Sequence, residues 1–538
     1  MHLKCSRTDV FPWFSNEYIK IKGYFFDANG DYFEQENLLN VIPKGLDKTQ
    51  LISLIEALNG CFSIVYETVD FTFSAVDRLR NFPVFYTIED GTLELTDEFL
   101  SLNNGNDLNE RAKEEFLRVG FTVGKETLFK NVNQLIAGQY LFFDKKSQNI
   151  LVDSYYKNWH LGDNDSDSNE LLKQLDIIVT QWAQRLIISA AGKTIFAGLS
   201  GGYDSRLIVC ALKREDYENV VCFSYGHEDS YEHSIAKKVA DKLGYPIHIV
   251  KYSEDLWERA INSEEFDKYC QLGLSKNSNP CIQELPAIFE LHNRGLIPED
   301  SIIVPGYAAD LLGGSYVPKN LESKEVNKML EMGVSDFIYN NIYGYYSGAL
   351  NDPMKNKLKE NIFNNLAESD CLNINDFDRN LEHWFTDNHV SKFINSTVRT
   401  YEIFGYGWRL PLWDNDFADW WYGVPIGLRS NNVLYHEYLF TYLFEPFYVA
   451  YKKPPPPKIG FIKRMLSKEI KLFILNVASK IKINLATKVK DEGNLPIASI
   501  QVAKRISAEW NLDDFKSVNG LVGAYCLDKL VNNKINKK

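Results

Sequence analysis

Thr194-Ile195-Phe196-Ala197-Gly198-Leu199-Ser200-Gly201-Gly202-Tyr203-Asp204-Ser205-Arg206-Leu207-Ile208-Val209 joins an apolar run to a helix start through a turn rich in Ser and Gly. Thr194 to Leu199 reads as a buried strand, Gly201 and Gly202 break it, and Arg206 to Leu212 opens a helix. A turn between a strand and a helix N-terminus suits an anion, because free backbone N–H groups and the positive end of the helix dipole point at it. Two glycines let the backbone approach a phosphate closely, and Ser200 and Ser205 add hydroxyls. Asp204 repels a phosphate unless a hard cation such as Mg²⁺ takes oxygens from both. Gly192-Lys193-Thr194 ends like a Walker loop, but it precedes the strand and lacks the first glycine.

Outward from this turn the pattern alternates. Glu170 to Ala190 predicts a long amphipathic helix, Val220 to Gly226 a second buried strand, Ser230 to Leu243 a helix, and Ile247 to Val250 and Ser301 to Val304 two more strands. Strands alternating with helices predict a parallel, doubly wound sheet, whose ligands sit at the carboxyl ends of its strands. That places Ser224, Tyr225 and Gly226 beside Ser200. Residues 1 to about 156 differ: short aromatic-rich runs separated by turns predict layered sheets with a few helices.

The pattern Ser200-Gly201-Gly202-Tyr203-Asp204-Ser205 after a strand resembles the pyrophosphate loop of the N-type ATP pyrophosphatases. Leu58-Asn59-Gly60-Cys61-Phe62 and Asp77-Arg78-Leu79-Arg80-Asn81-Phe82-Pro83 are similar to the glutamine-hydrolysing domain of asparagine synthetases. Gly306, Ala309, Asp310, Leu312, Gly314 and Tyr316 fit that family's Ser-Gly-Xaa-Gly-Ala-Asp-Glu-Leu-Phe-Gly-Gly-Tyr, with Pro305, Ala308, Leu311 and Ser315 departing. Arg409, Pro411 and Asp414 fit its Glu-Xaa-Arg-Xaa-Pro-Phe-Leu-Asp, with Gly407 in place of Glu, and Lys458-Ile459-Gly460-Phe461 fits its Lys-Xaa-Gly-Phe. The stretch from Trp408 to Asp414 resembles asparagine-synthetase-like proteins of bacterial surface-polysaccharide pathways.

The resemblance implies an α/β chain in three parts. Residues 1–156 are a degenerate, layered α+β amidotransferase-like (Ntn-type) domain, 168–461 a doubly wound ATP-pyrophosphatase domain with a helical C-terminal part, and 462–538 a basic amphipathic helical tail. It implies ATP and Mg²⁺ as cofactors. Leu199, Ser200, Gly201, Gly202, Asp204, Ser205, Tyr225, Gly226 and Gly306 would bind nucleotide, Asp204 and Asp310 the metal, and Lys458, Tyr307 and Arg409 would serve catalysis. Tyr307 stands where β-lactam-forming relatives have Tyr and asparagine synthetases typically have Glu. The implied reaction adenylates a small-molecule or sugar carboxylate and displaces AMP with ammonia or an amine. The alternatives are a uronic-acid amidating enzyme, an amide-forming cyclase, and a nucleotide-binding pseudoenzyme or scaffold. Asp204, Asp310 and Lys458 argue for catalysis, and Leu311 and Gly407 for the scaffold.

The family's glutaminase needs an N-terminal Cys whose α-amine acts as base. Here His2 follows Met1 and the first cysteine is Cys5, so glutaminase activity is expected to be lost. The 538 residues exceed one core, and 45% hydrophobic with 14% aromatic content fits folded domains. A formal net charge of -13 disfavours nucleic acid as a partner. The eight cysteines show no metal-ligand spacing, and no run is apolar enough for a signal peptide or a membrane span, so a cytoplasmic location is expected. Lysines and apolar residues alternate between Ile462 and Lys490, which makes peripheral contact with an anionic membrane an expectation for the tail.

Overall fold

The structure is a computed structural model that describes residues 3–4, 10–102, 107–157, 166–307, 312–315, 317–318, 321, 324–343, 348, 350–367, 373–452, 495–507 and 510–535. Strands β1 (Leu3–Lys4), β2 (Phe14–Ser15), β3 (Ile19–Phe26), β4 (Tyr32–Glu34), β5 (Asn59–Glu67) and β6 (Phe71–Val76) come first, with helix α1 (Lys48–Glu56) between β4 and β5. Strands β7 (Phe85–Glu89), β8 (Thr92–Thr96), β9 (Asn133–Gln134), β10 (Gln139–Asp144) and β11 (Ile150–Ser154) follow, with helix α2 (Glu110–Val119) between β8 and β9. They form two sheets, ordered β11-β10-β6-β5-β3-β2 with β4 on β3, and β1-β8-β7-β9. Val65, Val76 and Leu141 of the first sheet and Tyr86 and Leu95 of the second share one buried cluster, so the sheets are layered. The other face of the first sheet buries Phe25, Ile64 and Phe73 against Leu51 and Ile55 of α1.

Helix α3 (Ser168–Ala190) begins where Asp167 accepts a hydrogen bond from the N–H of Glu170 and ends at Ala191, which is left-handed (φ 51°). Next come β12 (Ile195–Gly198), α4 (Asp204–Arg214), β13 (Val220–His227), α5 (Tyr231–Leu243), β14 (Ile247–Tyr252), α6 (Glu254–Ile261), α7 (Glu264–Ser275), α8 (Leu285–Asn293), β15 (Ile302–Val304) and the short β16 (Gly407–Trp408). The sheet order is β14-β13-β12-β15-β16, parallel throughout. Alternate residues face opposite cores. Ile195, Ala197 and Val304 pack with α3, α4 and α5, while Phe196, Phe223 and Ile303 pack with α6 and α8. The sheet is therefore covered on both faces, which is the doubly wound arrangement.

One feature lies beyond the sequence expectation. Within the stretch 462–538, residues 462–490 are outside the described residues. The helices Leu495–Ala503 and Val518–Ile535, however, bury Ala498, Val502, Val522 and Ala524 in the same core as α6 and α7. Their apolar residues complete the core and are no surface tail. Among the described residues, no helix is long and apolar enough to cross a membrane.

The layered sheets meet the parallel sheet along a polar seam. Arg78 makes a bidentate pair with Asp419, which also accepts from the Tyr156 hydroxyl. Asp414 caps the helix Asn415–Tyr422, pairs with Arg185 of α3, and accepts from Asn59 at the start of β5. Asp77 holds the turn after β6 by accepting from the N–H groups of Phe62, Leu79 and Asn81. Burial raises its pKa to about 6 despite those hydrogen bonds. Arg409, 2% exposed, donates to Tyr32, Glu34 and the Ser189 carbonyl, and lies 4.1 Å from the Tyr24 ring centroid. Arg409→Ala removes the buried guanidinium from Tyr24, Tyr32, Glu34 and the Ser189 carbonyl, leaving Glu34 with solvent and the Tyr32 hydroxyl. The expected cost is about 3 kcal/mol, the scale of losing several buried hydrogen bonds to a charged group, read as a lower urea midpoint at unchanged m-value.

Candidate active site

The carboxyl ends of β12, β13 and β15 open on a cavity of about 830 Å³, a size that falls in the range of small-molecule sites. The turn from Leu199 to Ser205 forms one wall. Within it the Ser200 N–H donates to Ser205 Oγ at 3.0 Å and the Gly202 N–H donates to Ser200 Oγ at 2.9 Å. No side chain caps α4, unlike α3, α5, α6 and α7, each capped by an Asp or Ser. An uncapped helix N-terminus beside a cavity leaves its dipole available to a ligand anion. Gly306, just after β15, presses on this turn: a Cβ there would lie 2.6 Å from Ser205 Cβ, so any side chain would push the two elements apart.

The sequence-predicted residues Leu199, Ser200, Ser205, Tyr225, Gly226, Gly306 and Tyr307 all line this one cavity. Gly201, Gly202 and Asp204 belong to the same turn without lining it; Asp204 is the first residue of α4 and accepts from the Tyr435 hydroxyl at 2.8 Å. Arg409 stands apart, buried in the polar seam and off the cavity wall, because β16 delivers it to the layered sheets. Asp310 and Lys458 lie outside the described residues, as do His2 and Cys5. Among the described residues no cluster of three or more His, Cys, Asp or Glu converges on a metal position. Asp204 is a hard oxygen donor at the head of α4, which fits a Mg²⁺ that takes most of its oxygens from phosphate and water.

Two residues were not legible as site residues. Arg206 is fully buried, with its guanidinium donating to the carbonyls of Gly201, Val449 and Tyr451. It ties the turn to the segment that leads toward Lys458. A polar residue in an apolar helix run gives no local hint of this, since two of its three partners lie more than 240 positions away. Glu284 precedes α8, is 5% exposed, lines the cavity and accepts from the Tyr401 hydroxyl at 2.5 Å. Burial raises its pKa to about 7, opposed by the Tyr401 hydrogen bond.

With the geometry in hand, known proteins give the following. Residues 190–273 match the family described as Asparagine synthase. That span runs from the end of α3 through α7 and includes the Ser-Gly turn. The tRNA-specific 2-thiouridylase MnmA of Lactobacillus delbrueckii subsp. bulgaricus is 26% identical over 144 residues, covering 25% of this chain and 38% of that protein. The same enzyme of Natranaerobius thermophilus is 22% identical over 229 residues, 38% of this chain and 58% of that one. The chain thus spans well under two thirds of the length of these relatives. Among solved structures, the glutamine phosphoribosylpyrophosphate amidotransferase from B. subtilis complexed with ADP and GMP aligns over 44% of this chain and 47% of its own, at 12% identity and a TM-score of 0.18. That score is too low to carry an argument, and the fold rests on the sheets described above.

The Glu284 carboxyl makes stability depend on pH in a defined sense. Its folded pKa, about 7, lies above the ordinary 4.5, so between these values the folded state binds more protons than the unfolded state. Stability therefore falls as pH rises from about 4.5 to about 7, and Asp77, raised to about 6, adds to the same slope. Glu284→Gln keeps the acceptor for Tyr401 and removes the charge. It is expected to match the parent below pH 4.5 and to exceed it by about 3 kcal/mol at pH 8, measured by chemical denaturation across pH.

Proposed function

We propose that this chain is an ATP-dependent, amide-forming ligase of the asparagine-synthase type, which adenylates a carboxylate and transfers nitrogen to it with release of AMP and pyrophosphate. The observation that carries this is the uncapped α4 N-terminus and its Ser-Gly turn opening on a single large cavity at the carboxyl ends of a parallel sheet. The family match over 190–273 falls on the same elements and supports it. A carboxylate is a poor electrophile, since its charge repels a nucleophile and oxide is a bad leaving group. Adenylation removes both obstacles.

In this reading the turn from Ser200 to Ser205 receives the pyrophosphate, with N–H groups and the helix dipole opposing its charge. Tyr225 and Gly226 border the nucleotide. Asp204 would hold Mg²⁺ together with Asp310, and that cation would supply neutralisation of phosphate charge when bound. Lys458 would stabilise the departing phosphate and the tetrahedral intermediate. The acyl substrate is a small-molecule or sugar carboxylate; a uronic acid of surface-polysaccharide synthesis is the variant favoured by the Trp408–Asp414 wording.

The curated relatives are named as thiouridylases, which makes sulfur transfer to RNA a second reading. Two features weigh against it. A net charge of -13 repels RNA, and the thiol on the cavity wall, Cys281, is pushed above its ordinary pKa by burial, so it is a poor thiolate. Nitrogen would come from free ammonia, a substrate amine or a separate partner. Cys61, on β5, is buried, raised in pKa by burial, and bonded to the Tyr24 hydroxyl, which makes it a poor nucleophile.

Asp204→Ala is expected to abolish AMP formation while keeping a parental melting temperature; full activity in that folded variant would remove the adenylation reading. Lys458→Ala is expected to lower kcat by roughly 10²-fold with nearly unchanged ATP binding, the scale of one preorganised stabilising donor. Glutamine should yield no glutamate in either the parent or Cys5→Ala, by enzyme-coupled glutamate assay.

A further inference from the structure

The inner wall of the cavity carries a carboxylate, Glu284, that has no cation beside it among the described residues. Three acids line the cavity: Asp229 is exposed, Glu232 half-buried, and Glu284 buried. Among the described residues no lysine or arginine lines it, and none forms an ion pair with Glu284. A buried carboxylate is expensive unless a cation or several hydrogen bonds compensate it, and here a single hydrogen bond, from Tyr401, is found.

What surrounds that carboxylate is aromatic. Tyr225, Tyr252 and Tyr307 line the same cavity. Tyr225 and Tyr252 stack with ring centroids 5.6 Å apart and planes 18° from parallel, and Phe223 continues the stack at 6.3 Å from Tyr225. The Tyr252 hydroxyl donates to the Gln283 carbonyl at 2.8 Å, which fixes its ring beside Glu284. The Tyr307 hydroxyl is buried and has no hydrogen-bond partner among the described residues. Phe223 and Tyr252 cover the two faces of Tyr225, so these rings form a fixed apolar wall beside the carboxylate, against which the carbon chain of an organic ammonium group can rest.

We infer that Glu284, held by the Tyr401 hydroxyl behind it, forms with Tyr225, Tyr252 and Tyr307 a subsite for the protonated amine of an alkylammonium ligand. The role of that ligand as the nitrogen-bearing substrate rests on the ligase reading above; the subsite itself does not. If the amine enters here, the enzyme draws nitrogen from a substrate amine, and free ammonia is a poor substitute because it has no carbon chain to rest on the aromatic wall.

The charge of the subsite depends on pH. The titratable groups facing Glu284 are the phenols of Tyr225 on β13, Tyr252 on β14, Tyr269 on α7, Tyr307 after β15 and Tyr401 on the helix Val398–Ile403, with the thiol of Cys281 on its own loop. All are raised by burial, so within this set Glu284 is the group that titrates near neutral pH, around about 7; the exposed His227 and Asp229 and the half-buried Glu232 line the same cavity. Ammonium binding should therefore strengthen as pH rises through 7, while an alkylamine remains protonated.

The probe is n-butylammonium chloride, with 1-butanol as its uncharged counterpart and sodium chloride at equal ionic strength as the salt control. Full-length protein is titrated with each at pH 6 and pH 8, with melting temperature and tyrosine fluorescence as readouts. The expected result is a saturable response to butylammonium that is roughly tenfold tighter at pH 8 than at pH 6. Butanol should give no comparable response. Glu284→Gln should weaken butylammonium binding by roughly tenfold or more at pH 8. Tyr401→Phe removes the hydrogen bond that lowers the Glu284 pKa, so the pH at which binding appears should move upward. An equal response to butanol, an unchanged response in Glu284→Gln, or no response in the parent would each overturn the subsite. ATP binding by the parent, measured separately with a fluorescent ATP analogue, reports on the nucleotide reading alone. Ammonium binding without ATP binding would retain the subsite and remove the ligase.

Discussion

The guanidinium of Arg206 gathers the carbonyls of Gly201, Val449 and Tyr451 at one buried point. A charge in that position has no route to water, so its hydrogen bonds to three carbonyls are what make its burial tolerable. In return the turn at Ser200 is held on one side by Arg206 and on the other by the side-chain-free approach of Gly306 to Ser205. The loop is thereby preorganised before any ligand arrives, which is the condition under which backbone dipoles stabilise charge without reorganising. The same guanidinium fixes the chain at Val449 and Tyr451, so the loop is tied to the end of the helical C-terminal part.

The layered N-terminal sheets serve this arrangement through the seam. Arg78 and Arg409 each reach a carboxylate across it, Asn59 reaches Asp414, and the resembling motif Asp77-Arg78 is spent there: Asp77 shapes the turn and Arg78 grips Asp419. Motif residues that look functional in a sequence can thus be retained for docking one sheet system onto another. Asn59, Asp77, Arg409 and Asp414 all take part in this docking.

The parallel sheet was legible because its signals are local. Apolar runs bounded by glycine, and Ser230 as a cap for α5, give strands and helices within a residue or two of those observed. The turn at Ser200 was legible for the same reason. β16 was not, since two residues with no alternation carry no strand signal, and Gly407-Trp408 joins the sheet only because β15 offers its edge. The last two helices are apolar in composition, yet the lysine-rich stretch before them masks that in any long window. Arg206 and Glu284 escaped for a further reason: their roles are defined by partners from distant segments, and a lone charged residue reads as solvated until its burial is known.

The central claim is that ATP is split between its α and β phosphates to activate a carboxylate. The direct measurement is oxygen transfer. Full-length protein is incubated with ATP, Mg²⁺, an amine mixture and a pool of ¹⁸O-labelled carboxylates that includes uronic acids, and the nucleotide products are weighed by mass spectrometry. The account predicts AMP carrying one ¹⁸O from the carboxylate, with stoichiometric pyrophosphate. ADP and inorganic phosphate as the products, or AMP free of the label, would contradict it.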